Sequence, residues 1–255
     1  MVERDIIDAF QPISLEEMGK VRLMNRIDTK YVTSIDNVRK LLEAASPHYF
    51  IQQIDGSSNM PYYTRYYDTD DTMMFYQHQR GKKNRQKVRV RRYEGSSTPP
   101  FIEIKTKNNK GRTSKKRAPM VDANNMELTP YYEFLDRNSS FDPSSLIPHI
   151  ENHFYRITLV DKSMTERVTI DSRLEFHNLI TGQKSSLDKI GIIEWKRDGR
   201  KRDSELDRIL KELRIHPCGF SKYCVGMAVT NPGLRQNRLK KKLRMIDRLN
   251  SKQNN

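Results

Sequence analysis

Glu103-Ile104-Lys105-Thr106-Lys107 and Glu194-Trp195-Lys196 each set a carboxylate two residues before a lysine. Three further stretches repeat charges at the same spacing: Arg26-Ile27-Asp28-Thr29-Lys30, Lys87-Val88-Arg89-Val90-Arg91 and Arg167-Val168-Thr169-Ile170-Asp171. Side chains alternate sides along a β-strand, so each stretch places its charges on one face and its Val, Ile or Trp on the other. A converging set of Arg and Lys suits a polyanion, because each phosphate accepts two or three charge-assisted hydrogen bonds. Glu103 and Glu194 would repel such a ligand unless a divalent cation, Mg²⁺ or Mn²⁺, bridged carboxylate and phosphate oxygens. Taken singly, each strand reads as a solvated face and each Glu-x-Lys pair as an exposed ion pair worth at most about 1 kcal/mol. Five such strands together point to a shared site.

The elements that must position these residues follow from pattern and punctuation. Ser14-Leu15-Glu16-Glu17 has the form of a capping box and predicts a short helix before a first strand near residues 20–33. Val38, Leu41, Leu42 and Ala45 fall on one stripe of a helix over about 35–45. Extended segments are predicted at about 48–54 and 61–68, with a short helix or loop over 69–80. A meander follows near 86–94, 100–107 and 113–120, its turns at Gly95-Ser96-Ser97 with Pro99-Pro100 and at Asn108-Asn109-Lys110-Gly111. Residues 122–150 read as interrupted helix, broken at Pro143 and Pro148. Strands resume at about 153–161, 165–171, 174–180 and 190–197. Leu206, Ile209, Leu210 and Leu213 then mark a helix, another is expected after Phe220-Ser221-Lys222-Tyr223, and Asn231-Pro232-Gly233 is expected to end the compact part.

Apolar strand faces and several amphipathic helices compete for the same surface. A closed barrel reconciles them, with helices on its apolar exterior and a hydrated, charged interior. The expected fold class is therefore α+β: a closed β-barrel with a basic interior and helices outside. Residues 1–19 form an N-terminal helical segment, 20–230 the barrel domain and 231–255 a basic helical tail.

The 255 residues carry 47 Lys and Arg against 32 Asp and Glu, a formal charge of +15 that concentrates anions near the surface. Charged residues at 31%, hydrophobic ones at 35% and a mean hydropathy of −0.84 leave a thin core. The start lacks the features of a signal peptide and no run approaches the roughly 18 apolar residues of a membrane span, so a cytoplasmic protein is expected. Cys218 and Cys224 offer neither a disulfide framework nor a zinc motif, and the six histidines lack ligand spacing. The tail from Arg235 carries eight Lys or Arg and one acid, with Leu239, Leu243, Ile246 and Leu249 on one helical face. Its simplest reading is a solvated or loosely docked helix. Its sharper reading is contact with an acidic membrane surface or a membrane partner.

Eight motifs in order resemble the VTC domain, a polyphosphate polymerase branch of the triphosphate tunnel metalloenzymes, which are CYTH-like. They are Asp28-Thr29-Lys30-Tyr31, Arg65-Tyr66-Tyr67-Asp68-Thr69, Val88-Arg89-Val90-Arg91-Arg92-Tyr93, Phe101-Ile102-Glu103-Ile104-Lys105, Lys115-Lys116-Arg117, Arg167-Val168-Thr169-Ile170-Asp171, Ile193-Glu194-Trp195-Lys196 and Phe220-Ser221-Lys222-Tyr223. The resemblance covers about residues 20–228. It implies an antiparallel eight-stranded β-barrel, a tunnel in which Lys30, Arg65, Arg89, Arg91, Lys105, Lys115, Arg117, Arg167, Lys196 and Lys222 hold the phosphates of a nucleoside triphosphate and a polyphosphate chain. Of these Arg89, Arg91, Lys105, Arg167 and Lys222 would serve catalysis, and Glu194 with Glu103 beside it would hold the metal. Lys116 is expected to face away from Lys115 and Arg117. Where the triphosphatase branch carries Glu-x-Glu-x-Lys on the first strand, this chain has Arg26, Asp28 and Lys30, which favours a polymerase over a two-metal triphosphatase. A domain of this kind without sensing or membrane modules resembles bacterial members.

Three readings compete: metal-dependent phosphoryl transfer to a polyphosphate end, binding or hydrolysis of a triphosphate without polymerisation, and nucleic-acid binding. Charge alone would allow the last. The cations, however, alternate along strands instead of forming one exposed stripe, and no familiar nucleic-acid motif accompanies them.

Overall fold

In the computed structural model, residues 4–19, 21, 26–95, 98–109, 113–121, 126–199 and 204–251 are described. Most of the turns expected at 95–97 and 108–111, and the start of the strand expected near 20–33, lie outside them. The chain opens with α1 (Arg4–Asp8), β1 (Gln11–Ile13) and α2 (Leu15–Met18). The predicted capping box starts α2: Ser14 Oγ accepts from Glu17 N while Ser14 N donates to the Glu17 carboxylate. Next come β2 (Arg26–Ser34), α3 (Ile35–Ala45), β3 (Tyr49–Gln52), β4 (Asn59–Thr69) and α4 (Met73–Gln79). The meander is β5 (Arg85–Tyr93), β6 (Phe101–Lys107) and β7 (Thr113–Pro119), followed by α5 (Tyr132–Asn138). Three long strands follow, β8 (Leu146–Asp161), β9 (Glu166–Asn178) and β10 (Lys184–Asp198). The chain ends in α6 (Glu205–Glu212), α7 (Lys222–Thr230) and α8 (Lys240–Ser251).

Eight strands form one antiparallel path in the order β2-β10-β9-β8-β4-β5-β6-β7, and β3, with β1 beside it, is attached to β8. Helices are few between 122 and 150, because β8 begins at Leu146 and takes up the end of that segment. The two strands expected at 165–171 and 174–180 are one, β9. Arg173 at φ 52° and a register shift opposite residues 153–155 break its periodicity and make it read as two.

Apolar faces and helices meet as the patterns require. Val38, Leu41, Leu42 and Ala45 of α3 are fully buried, with Leu206, Ile209 and Leu210 of α6, against Ile157, Leu159, Val168, Ile170, Ile193 and Trp195. Each such aliphatic side chain contributes about 1.5–3 kcal/mol on burial. On the meander, Val88, Val90, Ile102 and Ile104 are buried in a second cluster with Leu135 of α5. The C-terminal end of α5 is tied to the same face of β5, since the Gln86 side chain donates to Asn138 O and accepts from Ser140 N.

The sheet is strongly rolled. Five strand spacings separate β2 from β5, about 24 Å in a flat sheet. Yet Lys30 Nζ of β2 donates to Phe220 O at 3.2 Å and Lys87 Nζ of β5 to Ser221 Oγ at 2.7 Å, on adjacent residues. The expected closed barrel is nevertheless not formed among the described residues: β2 and β7 end the path and do not pair with each other. The outer edge of β2 is instead met by residues 217–218. Tyr31 bridges Pro217, and Cys218 N donates to Lys30 O at 2.6 Å, where a closing strand would bond.

The compact part does not end at Asn231-Pro232-Gly233. Leu239 and Ile246 are buried, and Leu243 and Leu249 pack on the same core, while Asn250 donates to Ser186 O and accepts from Lys189 N. The apolar stripe of the tail therefore faces the protein, which leaves its cations for any acidic surface. No helix among the described residues is long and apolar enough to cross a membrane.

Candidate functional site

Strand register decides which charges share a face. Directly paired residues point to the same side, so Lys30, Glu194, Thr169 and Thr158 form one row across β2, β10, β9 and β8. Asp28, Lys196 and Arg167 form the next row. On the meander, Lys87, Lys105 and Lys115 form a row beside Arg89, Glu103 and Arg117. Rolling turns these two sets of rows toward each other, since Lys105 of β6 and Glu194 of β10 each perturb the other's ionisation.

Two buried carboxylates, Glu103 and Asp171, and the part-buried Glu194 organise the cations. Glu103, 3% exposed, accepts from Arg89 Nε at 2.8 Å and faces Lys115 Nζ at 3.1 Å. Asp171 receives the Arg156 guanidinium in a fork, at 2.6 and 2.8 Å, and also pairs with Lys222 Nζ. Glu194 faces Lys196 Nζ at 3.0 Å. Burial works against ionisation of all three, but neighbouring cations outweigh it and hold each carboxyl well below its usual range. For Glu194 those cations are Lys196, Lys30 and Lys105.

Positive charge remains in excess. Burial, reinforced by Arg89, brings Lys105 down to about 7 against the pull of Glu194, and burial brings Lys87 down to about 8. Burial and the adjacent Arg89 also lower the Arg91 pKa, and Arg91 Nε is buried with no hydrogen-bond partner among the described residues. Burial draws Lys222 down too, while its tight ion pair with Asp171 draws it back up. Cations left in this condition are stabilised by an incoming anion.

The N-terminal turn of α7 is the frame for this face. Ser221 caps it by accepting from Cys224 N, and also receives Lys87. Tyr223 OH donates to Asp68, which lies fully buried and accepts from Met74 N and Phe75 N at the start of α4. Thus Asp68 and Tyr223, from two of the sequence motifs, lock α4 to α7 and so set where Lys222 stands.

Lys30, Arg89, Arg91, Lys105, Arg167, Lys196 and Lys222 lie on the shared face as expected. Lys115 and Arg117 join it on β7, which is exposed along most of its length, and Lys116 is opposite Ile104 on the other face. Arg65 does not belong there. It pairs across the ladder with Val90 and Glu151, on the reverse side from Arg89 and Arg91, and its guanidinium donates to Glu151 at 2.7 Å. Sequence reasoning missed Arg156, Lys87 and the anchoring role of Asp171. Lys87 lies in the alternating stretch of β5, which was the available signal, whereas Arg156 shares its face of β8 with the uncharged Phe154 and Thr158.

A metal fits this face only as a companion of phosphate. The described residues contain no group of three His, Cys, Asp or Glu placed to hold an ion. Both Glu103 oxygens are engaged by cations, so Glu103 is an ion-pair anchor, contrary to its expected place beside the metal. Glu194 remains as a single carboxylate that phosphate oxygens could complete, as is usual for Mg²⁺.

The family model described as the VTC domain matches residues 25–231. A search of curated proteins gave no match. Among solved structures, that of the PH1819 protein from Pyrococcus horikoshii OT3 is similar at 13% identity and a TM-score of 0.44, over 80% of this chain and 98% of that one. The Schizosaccharomyces pombe Mediator head module is similar at 9% identity and a TM-score of 0.38, over 74% of this chain and 90% of that one.

Proposed function

From the premise that the chain belongs to the VTC domain family, whose role is in polyphosphate metabolism, we propose that it is a polyphosphate polymerase working on its basic strand face. An oxygen of a phosphate or polyphosphate end attacks the terminal phosphorus of a nucleoside triphosphate. The bond to the bridging oxygen breaks, the nucleoside diphosphate leaves with that electron pair, and the chain is one phosphoryl group longer. Positioning and charge neutralisation carry most of such a transfer, so no covalent nucleophile is required.

The observation that carries this reading is the uncompensated positive charge of Arg91, Lys105 and Lys87 on the face where Glu103 and Asp171 hold Arg89 and Arg156 in place. Arg89 and Arg91 on β5 and Lys105 on β6 would hold one set of phosphates, while Lys30, Arg167 and Lys196 approach from β2, β9 and β10. Lys222 reaches the same space from α7. Glu194 would hold a divalent cation, Mn²⁺ or Mg²⁺, jointly with phosphate oxygens, and that ion would neutralise charge on the donor. The engagement of Glu103 and Asp171 in ion pairs, which leaves neither for a second metal, supports a polymerase over a two-metal triphosphatase.

Incubation of the pure protein with ATP and Mn²⁺ or Mg²⁺ tests the proposal. Long phosphate chains are expected, and Glu194→Gln should abolish them. Orthophosphate as the only product would make the protein a triphosphatase, and binding without turnover would make it a polyanion sensor.

A further inference from the structure

We propose that the cleft between α4 and the segment leading into α8 is a second anion site, built for a ligand with two or more phosphoryl groups. The cleft has a volume of about 410 Å³ and is lined by Tyr76, Gln79, Arg80, Arg235, Asn237 and Arg238. Three arginines thus line one space with no carboxylate among the lining residues. Like charges gathered this way repel one another, and an oxyanion accepting from them reverses the sign of the interaction.

Two features make this more than a chance grouping of surface arginines. Arg238 is fixed, because its Nη1 donates to Gln79 O at 3.0 Å and so caps the C-terminal end of α4. Gln79 itself is 9% exposed, and its side-chain Nε2 is buried with no hydrogen-bond partner among the described residues. Gln79 lines the cleft, and its unsatisfied amide gains an acceptor where the wall opens to admit an anion oxygen. The docked tail supplies the other wall, and buried Leu239 pins it immediately after Arg238.

Positive potential continues from the cleft toward the strand face. His78, next to Gln79 on α4, is pushed down to about 3 by burial and by Lys87, Arg85, Lys242 and Lys107. Those cations come from β5, β6 and α8, so α4 lies in a field that spans from Lys87 of the strand face to Lys242 of the tail. A phosphorylated ligand could therefore be the far end of a polyphosphate chain that leaves the strand face, or a separate small molecule. Only the first source rests on the polymerase reading.

Calorimetric titration of the full chain with tripolyphosphate decides the matter. The unaltered protein is expected to show two classes of site. Arg80→Gln with Arg235→Gln, both exposed positions, should lose one class or weaken it at least about tenfold, with the other class and the thermal midpoint unchanged. Lys105→Gln should weaken the other class alone. If the double variant titrates like the unaltered protein, the cleft is not a site. If Lys105→Gln leaves both classes intact, the strand-face reading fails and the cleft stands. Long-chain polyphosphate then identifies the source: a tenfold loss in both variants means one chain spans both sites, and a loss confined to tripolyphosphate means a separate small anion.

Discussion

Lys105 lies without its own carboxylate on a crowded basic face, and burial with Arg89 holds its pKa at about 7. At pH 9 such a lysine is only about 1% protonated, whereas at its ordinary pKa near 10.4 it is about 96% protonated. Phosphates arriving beside it remove both the repulsion and the reason to stay neutral, so Lys105 should take up about one proton when a triphosphate binds. At 1.36 kcal/mol per tenfold, restoring the ordinary value corresponds to about 5 kcal/mol, an upper bound on what the ligand contributes at this one residue. The assay is calorimetric titration with metal-free ATP at pH 9, where the terminal phosphate is already fully ionised. Repeating it in buffers of different protonation enthalpy gives the number of protons exchanged. Lys105→Gln should lower that number by about one. Arginines of the tail cleft do not titrate there and leave the difference untouched. An identical proton count in the variant would refute the argument that Lys105 is an uncompensated cation facing the ligand.

Register separates Arg91 from Arg65, so Arg91→Gln should weaken triphosphate binding about 10- to 100-fold, while Arg65→Gln should change it less than about twofold and cost about 1–3 kcal/mol of stability by stranding Glu151. Asp68→Ala leaves Met74 N, Phe75 N and Tyr223 OH without their acceptor and should cost about 3–5 kcal/mol in urea unfolding; a loss under about 1 kcal/mol would mean the α4–α7 lock is unimportant. A Cβ at Gly226 would meet Phe176 at 2.5 Å and Ile150 at 2.7 Å, so Gly226→Ala should destabilise by about 1–3 kcal/mol and, by shifting α7 and Lys222, raise KM. Because the unfolded chain binds a proton that folded Lys105 releases, thermal stability without ligand should rise with pH above about 7, and Lys105→Met should flatten the rise. The slope has the same sign in acid, where stability should fall as the pH drops below about 4.5 and Glu103, Asp171 and Glu194 are forced to protonate.

Period-two alternation made β2, β5, β6, β9 and β10 legible, because each carries charge on one face and Val, Ile or Trp on the other. Arg65 was misplaced for the converse reason. Tyr62, Tyr63, Tyr66 and Tyr67 put aromatic rings on both faces of β4, so alternation does not say which way the arginine points. Arg156 was overlooked because the residues around it, Tyr155, Ile157 and Thr158, show no repeating charge. Its importance comes from Asp171 on a strand paired only in space. The open edge at β2 depends on Pro217 and Cys218, nearly two hundred residues away, and no local pattern reports that contact. The tail was expected to leave the compact part because Pro232-Gly233 punctuates it and its charge is high. Its Leu/Ile stripe nonetheless found apolar partners near β10.

A crystal structure with tripolyphosphate and Mn²⁺ would test the central claim most directly. Phosphoryl oxygens are predicted within about 3 Å of Arg89, Arg91 and Lys105, with Mn²⁺ between Glu194 and the phosphates. Phosphate found only at the tail cleft or beside Arg65, with the strand face unoccupied, would contradict the account.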